Sequence, residues 1–318
     1  MGLVRALRGV NLSVERGEIV GIAGETGCGK TTLSMSILRL LPQDAIIEKG
    51  KILFDGENLL ELSYEEMQKV RQARISLILQ GTSKSLNPAM LTGLQVSETI
   101  EFHKKEPFYK AIRKTQEIFS EIGLGTNVIL SLPDQLSVGT AQRVKIALAI
   151  STEPELIIAD EPFVGLDSTL QAMVADLLLR LHDKYGFTAL ISSHEISRLF
   201  EITDKMAIMY SGKIIEYNET GKIYRAPMHP YTKGLVGAIP TIRSIEKRRR
   251  LIEIPGEPPS ALNPPKGCPF WPRCPFAKEK CKTEEPELLD IDGGFVACHY
   301  AEELKDVDPW DFWGEGDS

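Results

Sequence analysis

The chain has no unbroken apolar run of eighteen or so residues among its 318, so no membrane-spanning helix is expected. It has no excess of basic side chains either. The balance of 37 Lys and Arg against 44 Asp and Glu gives a formal charge of −7, which argues against a general affinity for nucleic acid. The opening segment MGLVRALRGV lacks the apolar core of a secretion signal. A chain without such a signal is expected in the cytosol, where disulfides are uncommon. Cysteine is scarce: there are five in all, and Cys28 is the only one before Cys268. The other four, Cys268, Cys274, Cys281 and Cys298, crowd together near the end. Aromatic residues are missing from the start, with no Phe, Tyr or Trp in the first forty positions. What remains is ordinary: 42% hydrophobic residues can fill a core, and the length suggests about two domains.

Chemistry first shows in GEIVGIAGETGCGKTTLSMSILRLL. EIVGIA reads as a buried strand, and TTLSMSILRLL carries apolar residues at helical spacing. Between them, Gly24 to Thr31 fits G-x-x-x-x-G-K-S/T. Glycines 24, 27 and 29 let the backbone curl so that successive N–H groups point inward and form an anion nest. The helix that follows adds the positive end of its dipole. Glu25, Thr26, Cys28 and Thr32 complete the loop, with Cys28 as a small filler residue. Lys30 is expected to reach the β- and γ-phosphates, and the Thr31 hydroxyl to hold Mg²⁺. A second phosphate-site element, ELIIADEP, ends an apolar strand on two carboxylates. Asp160 is placed to bind the metal through its shell, and Glu161 to orient and deprotonate an attacking water.

Three further stretches narrow the class: ISLILQGTSKSLNP closes on Gln80, DQLSVGTAQRVKIALAI precedes the Asp160 strand, and TALISSHE closes on His194. In this order the set resembles the ATP-binding-cassette ATPases. Gln80 matches the Q-loop glutamine, which also reaches Mg²⁺. LSVGT, with Ser137 and Gly139, lies where these proteins carry LSGGQ. Asp167 in GLDS matches the D-loop, and His194 matches the switch histidine at the γ-phosphate. The resemblance implies a P-loop NTPase (RecA-like) α/β core, with a small antiparallel β-subdomain and a helical subdomain at about residues 81–145. It also implies that two cassettes face each other head to tail, each ATP lying between one phosphate loop and the other's signature segment.

SLNP, RAPMHPYTKGLVGAIP (Arg225 to Pro240), IPGEPPS and the terminal cysteine pattern extend the resemblance. They are similar to the ATPase subunits of oligopeptide/dipeptide-type importers, a group that also handles nickel and some oligosaccharides. This implies a nucleotide-binding domain over 1–240 and a small cysteine-rich C-terminal extension over 241–318. The chain would sit peripherally on the cytoplasmic side of the membrane. Its partners would be a second ATPase subunit, two permeases and, indirectly, an external substrate-binding protein, with no nucleic acid. Two rivals are a soluble non-transport cassette ATPase, which predicts a basic surface or a long coiled-coil insertion, and a regulatory pseudo-ATPase. Neither a basic balance nor such an insertion is seen, and Lys30, Asp160, Glu161 and His194 argue against the second.

Two departures stand out. Val138 and Thr140 replace a glycine and a common glutamine of the signature. Valine tolerates positive φ poorly, so Val138 is expected to weaken the site shared with the partner's phosphate loop. The chain also begins just after the usual first strand and adenine-stacking aromatic, which reads as a late or shortened start with an unpaired sheet edge. The basic run EKRRR (Glu246 to Arg250) reads as a solvated face or linker, and DVDPWDFWGEGDS as a mobile acidic tail.

The four late cysteines follow C-x5-C-x6-C-x16-C. Four cytosolic thiols in a small proline-rich segment suggest a metal centre, and a covalent clamp would compensate for a thin core. Spacing alone does not choose the metal: structural zinc prefers closer pairs, and the ferredoxin run is absent. The resemblance implies a 4Fe–4S cluster, because some members of this importer group carry one on a similar cysteine set. Zinc, and free or disulfide-bonded thiols, are the alternatives.

Overall fold

A computed structural model describes residues 4–81, 85–240 and 251–308. The basic run at 246–250 and the acidic end from 309 onward lie outside the described residues. The first elements in chain order are β1 (Ile19–Ala23), α1 (Lys30–Ile37), β2 (Leu53–Phe54), β3 (Glu57–Asn58), α2 (Tyr64–Val70) and β4 (Ile75–Ile78). Next come α3 (Thr92–Lys104), α4 (Phe108–Glu121), α5 (Thr126–Ile129), α6 (Val138–Ile150), β5 (Leu156–Asp160), α7 (Ser168–Tyr185) and β6 (Thr188–Ser193). The last third carries α8 (Ile196–Ile202), β7 (Lys205–Tyr210), β8 (Lys213–Glu219), α9 (Thr220–Arg225), α10 (Pro230–Gly237), β9 (Leu289–Ile291) and β10 (Gly294–Val296). The chain divides into two compact units, and their division does not follow chain order.

One unit comprises Val14–Ile19 and Leu33–Ser192. Its strands β4, β5 and β6 are adjacent and parallel, with Ile75 opposite Leu156 and Leu156 opposite Thr188. Strands covered on both faces carry nearly continuous apolar runs, as LIIAD and TALISS do. Between β4 and β5 lie the helices α3 to α6. In α4, Ala111, Thr115 and Phe119 are buried at four-residue spacing, which gives one apolar stripe on an otherwise charged helix. The α6 sequence VGTAQRVKIALAI is apolar almost all round, and it is buried almost throughout.

The other unit gathers, among the described residues, 4–13, 20–32, 193–240 and 251–308. All five residues of β1 are buried, and the strand runs parallel to β7, with Val20 opposite Lys205. From β7 the pairing turns antiparallel through β8, β10 and β9. These last two strands come from the proline-rich tail, where the sequence reading saw none. Their turn is Asp292-Gly293, both at positive φ (54° and 75°), the backbone that a two-residue hairpin of this hand demands. The expected antiparallel β-subdomain is much reduced. Before β4, the strand pairing among the described residues is β2 with β3, two residues each.

Candidate functional site

The phosphate loop joins β1 to α1 and closes tightly. A Cβ on Gly24 would collide with the Met209 carbonyl oxygen and come within 2.8 Å of the Cys28 sulfur, so only glycine fits. Gly29, at φ 111°, faces the Ala6 carbonyl in the same way. Cys28 is buried as filler, 5% exposed. Lys30 is also 5% exposed, and its Nζ donates to the carbonyls of Gly24 (2.6 Å) and Glu25 (3.3 Å). The ammonium is thus held inside its own loop. Thr26, Gly27 and Thr31 are exposed, with Glu25 and Thr32 partly so.

At the end of β5, Asp160 is 1% exposed. One of its oxygens accepts from the Ser192 hydroxyl at 2.5 Å. The other is buried with no hydrogen-bond partner. An unsatisfied buried carboxylate oxygen is costly unless a cation meets it, so the residue fits the Mg²⁺ role that sequence assigned. Glu161 follows at φ 51°, a left-handed backbone that a non-glycine residue adopts only at a cost. Its N–H donates to the Ser192 carbonyl at 2.9 Å, which fixes the turn.

The remaining candidates sit on element ends. Gln80 is exposed, two residues past β4. Ser137 caps α6, its hydroxyl accepting from the Thr140 N–H at 3.3 Å. Asp167 caps α7, accepting from the N–H groups of Thr169 (3.0 Å) and Leu170 (2.9 Å). Its assignment to a D-loop therefore coexists with a plain helix cap. His194 follows β6 directly, with its imidazole 3.9 Å from the Glu195 carboxylate. The strain expected at Val138 is absent. Val138 is the first residue of α6, and it is not among the residues with positive φ. Its substitution leaves an exposed side chain (39%) but not a strained backbone. Gly139 is the constrained signature position, since a Cβ there would meet Leu170 at 3.0 Å.

The four late cysteines come together. Cys268, Cys274, Cys281 and Cys298 line one cavity, together with His229, Phe270, Trp271 and Phe276. The Cys268 N–H donates to the Cys281 carbonyl at 2.8 Å. Gly267 allows this approach, because a Cβ there would overlap the same carbonyl oxygen. Burial, reinforced by the neighbouring thiols, pushes Cys268 up to about 11 and Cys274 and Cys298 up to about 12. All five cysteines are free, so the disulfide alternative is not realised. Among the described residues, no group of three or more His, Cys, Asp or Glu is placed to hold a metal ion.

Residues 7–164 match the ABC transporter family, and residues 215–281 match the oligopeptide/dipeptide transporter C-terminal region. The dipeptide transport ATP-binding protein DppD of Caldanaerobacter subterraneus subsp. tengcongensis is 38% identical over 305 residues, covering 95% of this chain and 93% of that protein. The chain is an ABC ATPase of the oligopeptide/dipeptide transporter type. The oligopeptide transport ATP-binding protein AppF of Bacillus subtilis is 37% identical to this ABC ATPase, over 94% of its length and 90% of AppF. Among solved structures, a dimeric post-hydrolysis state of the ATP-binding cassette MJ0796 bound to ADP and Pi is similar. It is 26% identical with TM-score 0.61, and the match covers 68% of this ABC ATPase and 90% of that chain. No described helix is long and apolar enough to cross a membrane.

The structure adds residues that sequence reasoning missed. Lys145 of α6, 5% exposed, donates to the carbonyls of Leu79 (3.2 Å) and Gly81 (2.7 Å), on either side of Gln80. A lysine within an apolar helix face was the available signal. Arg273, between Cys268 and Cys274, pairs with Glu25 of the phosphate loop at 2.7 Å. No local pattern marks a contact that spans 248 positions.

Proposed function

We propose that the chain is the ATP-hydrolysing subunit of a peptide importer, paired with a second ATPase and docked on two permeases at the cytoplasmic face. An external receptor would deliver the peptide. The carrying observation is the end of β5: a buried Asp160 oxygen without a partner, followed by Glu161 on a left-handed backbone. In this reading Gly24 to Thr32 bind the triphosphate, with Lys30 on its terminal phosphates. Thr31, Asp160 and Gln80 would hold Mg²⁺, which when bound would supply positive charge against the phosphates. Glu161 aligns and deprotonates the water, and His194 meets the γ-phosphate. Ser137 and Gly139 cover the partner's nucleotide, with Asp167 beside that junction. Catalysis then rests on positioning and charge stabilisation of in-line transfer.

The domain reading, 1–240 for the cassette and 241–318 for the C-terminal part, belongs to the same proposal. The permease side is supported by an open groove lined by Asn87, Met90, Gln95, Glu98, Thr99 and Phe102, with Phe102 75% exposed on α3. Cargo in the relatives' names is peptide, and that class is carried over here as proposal. For the thiols, a 4Fe–4S cluster is carried over from the family resemblance: the four sulfurs line one cavity but are not placed to hold a metal ion as they stand. It would supply a covalent clamp for the C-terminal part. The test is reconstitution with partner subunits. Mg²⁺-dependent ATP hydrolysis stimulated by peptide-loaded receptor is expected, and absence of any Mg²⁺-dependent ATP affinity refutes the reading. Anaerobically purified protein is expected to be brown; colourless protein with stoichiometric zinc refutes the cluster.

A further inference from the structure

Arg273 lies between Cys268 and Cys274 along the chain and pairs with Glu25 of the phosphate loop, in one compact unit. The three-residue turn Trp271–Arg273 is bracketed by Cys268 and Cys274, which fixes the side chain's root. Arg273 is itself 8% exposed. Its Nη1 and Nη2 donate to the two Glu25 oxygens at 2.7 and 2.9 Å, a bidentate pair. Its Nε donates to the Pro255 carbonyl at 2.9 Å, and Nη1 also reaches the Tyr210 hydroxyl at 3.2 Å. A second tie runs from the Glu25 N–H to the Tyr231 hydroxyl, 3.0 Å. Tyr210, Tyr231 and Phe270 pack together beside the guanidinium with ring centroids 4.7 to 5.4 Å apart, and the Arg273 side chain is 5% exposed against 28% for Glu25.

Glu25 is the second residue of a loop that must accept a polyanion. An unpaired carboxylate there repels phosphate, and it leaves the loop untethered at that end. We propose that Arg273 is a positioning residue for ATP binding: it neutralises Glu25 and holds the phosphate loop in its receptive shape. This inference rests on the ATPase reading above. Arg273 touches no reacting atom; it acts through Glu25. Because its turn is rooted between two cysteines, the fold around the thiols reaches the nucleotide site through this side chain.

The test is equilibrium binding of a fluorescent ATP analogue with Mg²⁺ to the full chain, alongside KM and kcat for ATP in the assembled transporter. Arg273→Ala is expected to raise Kd and KM about tenfold with kcat nearly kept. Arg273→Lys is expected to recover part of the loss. The decisive variant is the double change Arg273→Ala with Glu25→Gln. Removing the stranded carboxylate is expected to restore most of the affinity, a rescue that mere damage to the fold would not permit. Wild-type affinity in Arg273→Ala, or a double variant weaker than Arg273→Ala, overturns the inference. If Arg273→Ala does not fold, Arg273→Gln with and without Glu25→Gln gives the same comparison. Wild-type protein without ATP affinity refutes the ATPase reading instead, so the two failures are distinguishable.

Discussion

Changing Lys145 to methionine should reverse its effect on stability between neutral and alkaline pH. Burial pushes this lysine down from 10.5 to about 8. Its two acceptors, the carbonyls of Leu79 and Gly81, are uncharged. The unfolded lysine keeps its proton to about 10.5 and the folded one only to about 8, so in that window unfolding takes up a proton. Rising pH therefore favours the folded wild type. At 1.36 kcal/mol per tenfold change in proton affinity, the burden on wild type near pH 7 is on the order of 3 kcal/mol. Most of it, about 2.5 kcal/mol, is relieved by pH 10. Methionine keeps the length and loses two hydrogen bonds, at about 1 kcal/mol each. Near pH 7 the Lys145→Met variant is thus expected to be more stable by about 1 kcal/mol, and near pH 10 less stable by a similar amount. Urea unfolding of both proteins at fixed salt across this range measures the difference, and titrations common to both cancel. A difference that stays flat within about 0.5 kcal/mol refutes the claim that this lysine is buried at a cost.

Lys30→Met should weaken Mg²⁺-ATP binding about 10- to 100-fold, the worth of a lost charge-assisted contact, as read by equilibrium binding. Glu161→Gln should keep ATP affinity and lower turnover about 10²- to 10⁴-fold, and it should favour a stable pair of cassettes on gel filtration with ATP. Equal loss of binding and turnover would place Glu161 in the ground-state site instead. Gly267→Ala should cost about 1–3 kcal/mol by forcing apart the Cys268 and Cys281 segments, lowering Tm and bleaching any visible absorbance. An unchanged Tm would mean that the tail relaxes around the added methyl.

The strands that lead to the candidate site residues were legible because each is a short apolar run closing on a polar residue. β4, β5 and β6 all carry that mark, and their ends deliver Gln80, Asp160 and His194. The phosphate loop was legible for a steric reason, since glycine at 24 and 29 is the signature of backbone in close approach. The backbone strain expected at Val138 is absent because Ser137 caps the helix and Val138 already follows its backbone. The tail hairpin was missed because β9 and β10 are three residues each, too short for any alternation to register. Only Asp292-Gly293 hinted at it. Asp160's orphan oxygen and the ties of Lys145 and Arg273 depend on which segments meet in space, and sequence periodicity carries no such information.

The grip of Arg273 on Glu25 joins positions 248 apart, and this sets a clock for biosynthesis. The nucleotide loop is synthesised 248 positions ahead of its brace. At about 5–20 residues per second, the loop waits roughly 12 to 50 seconds for its partner. A nascent cassette that has not yet reached Arg273 is therefore expected to bind ATP about tenfold more weakly, and fragments that stop before it should compete poorly for nucleotide with chains that include it.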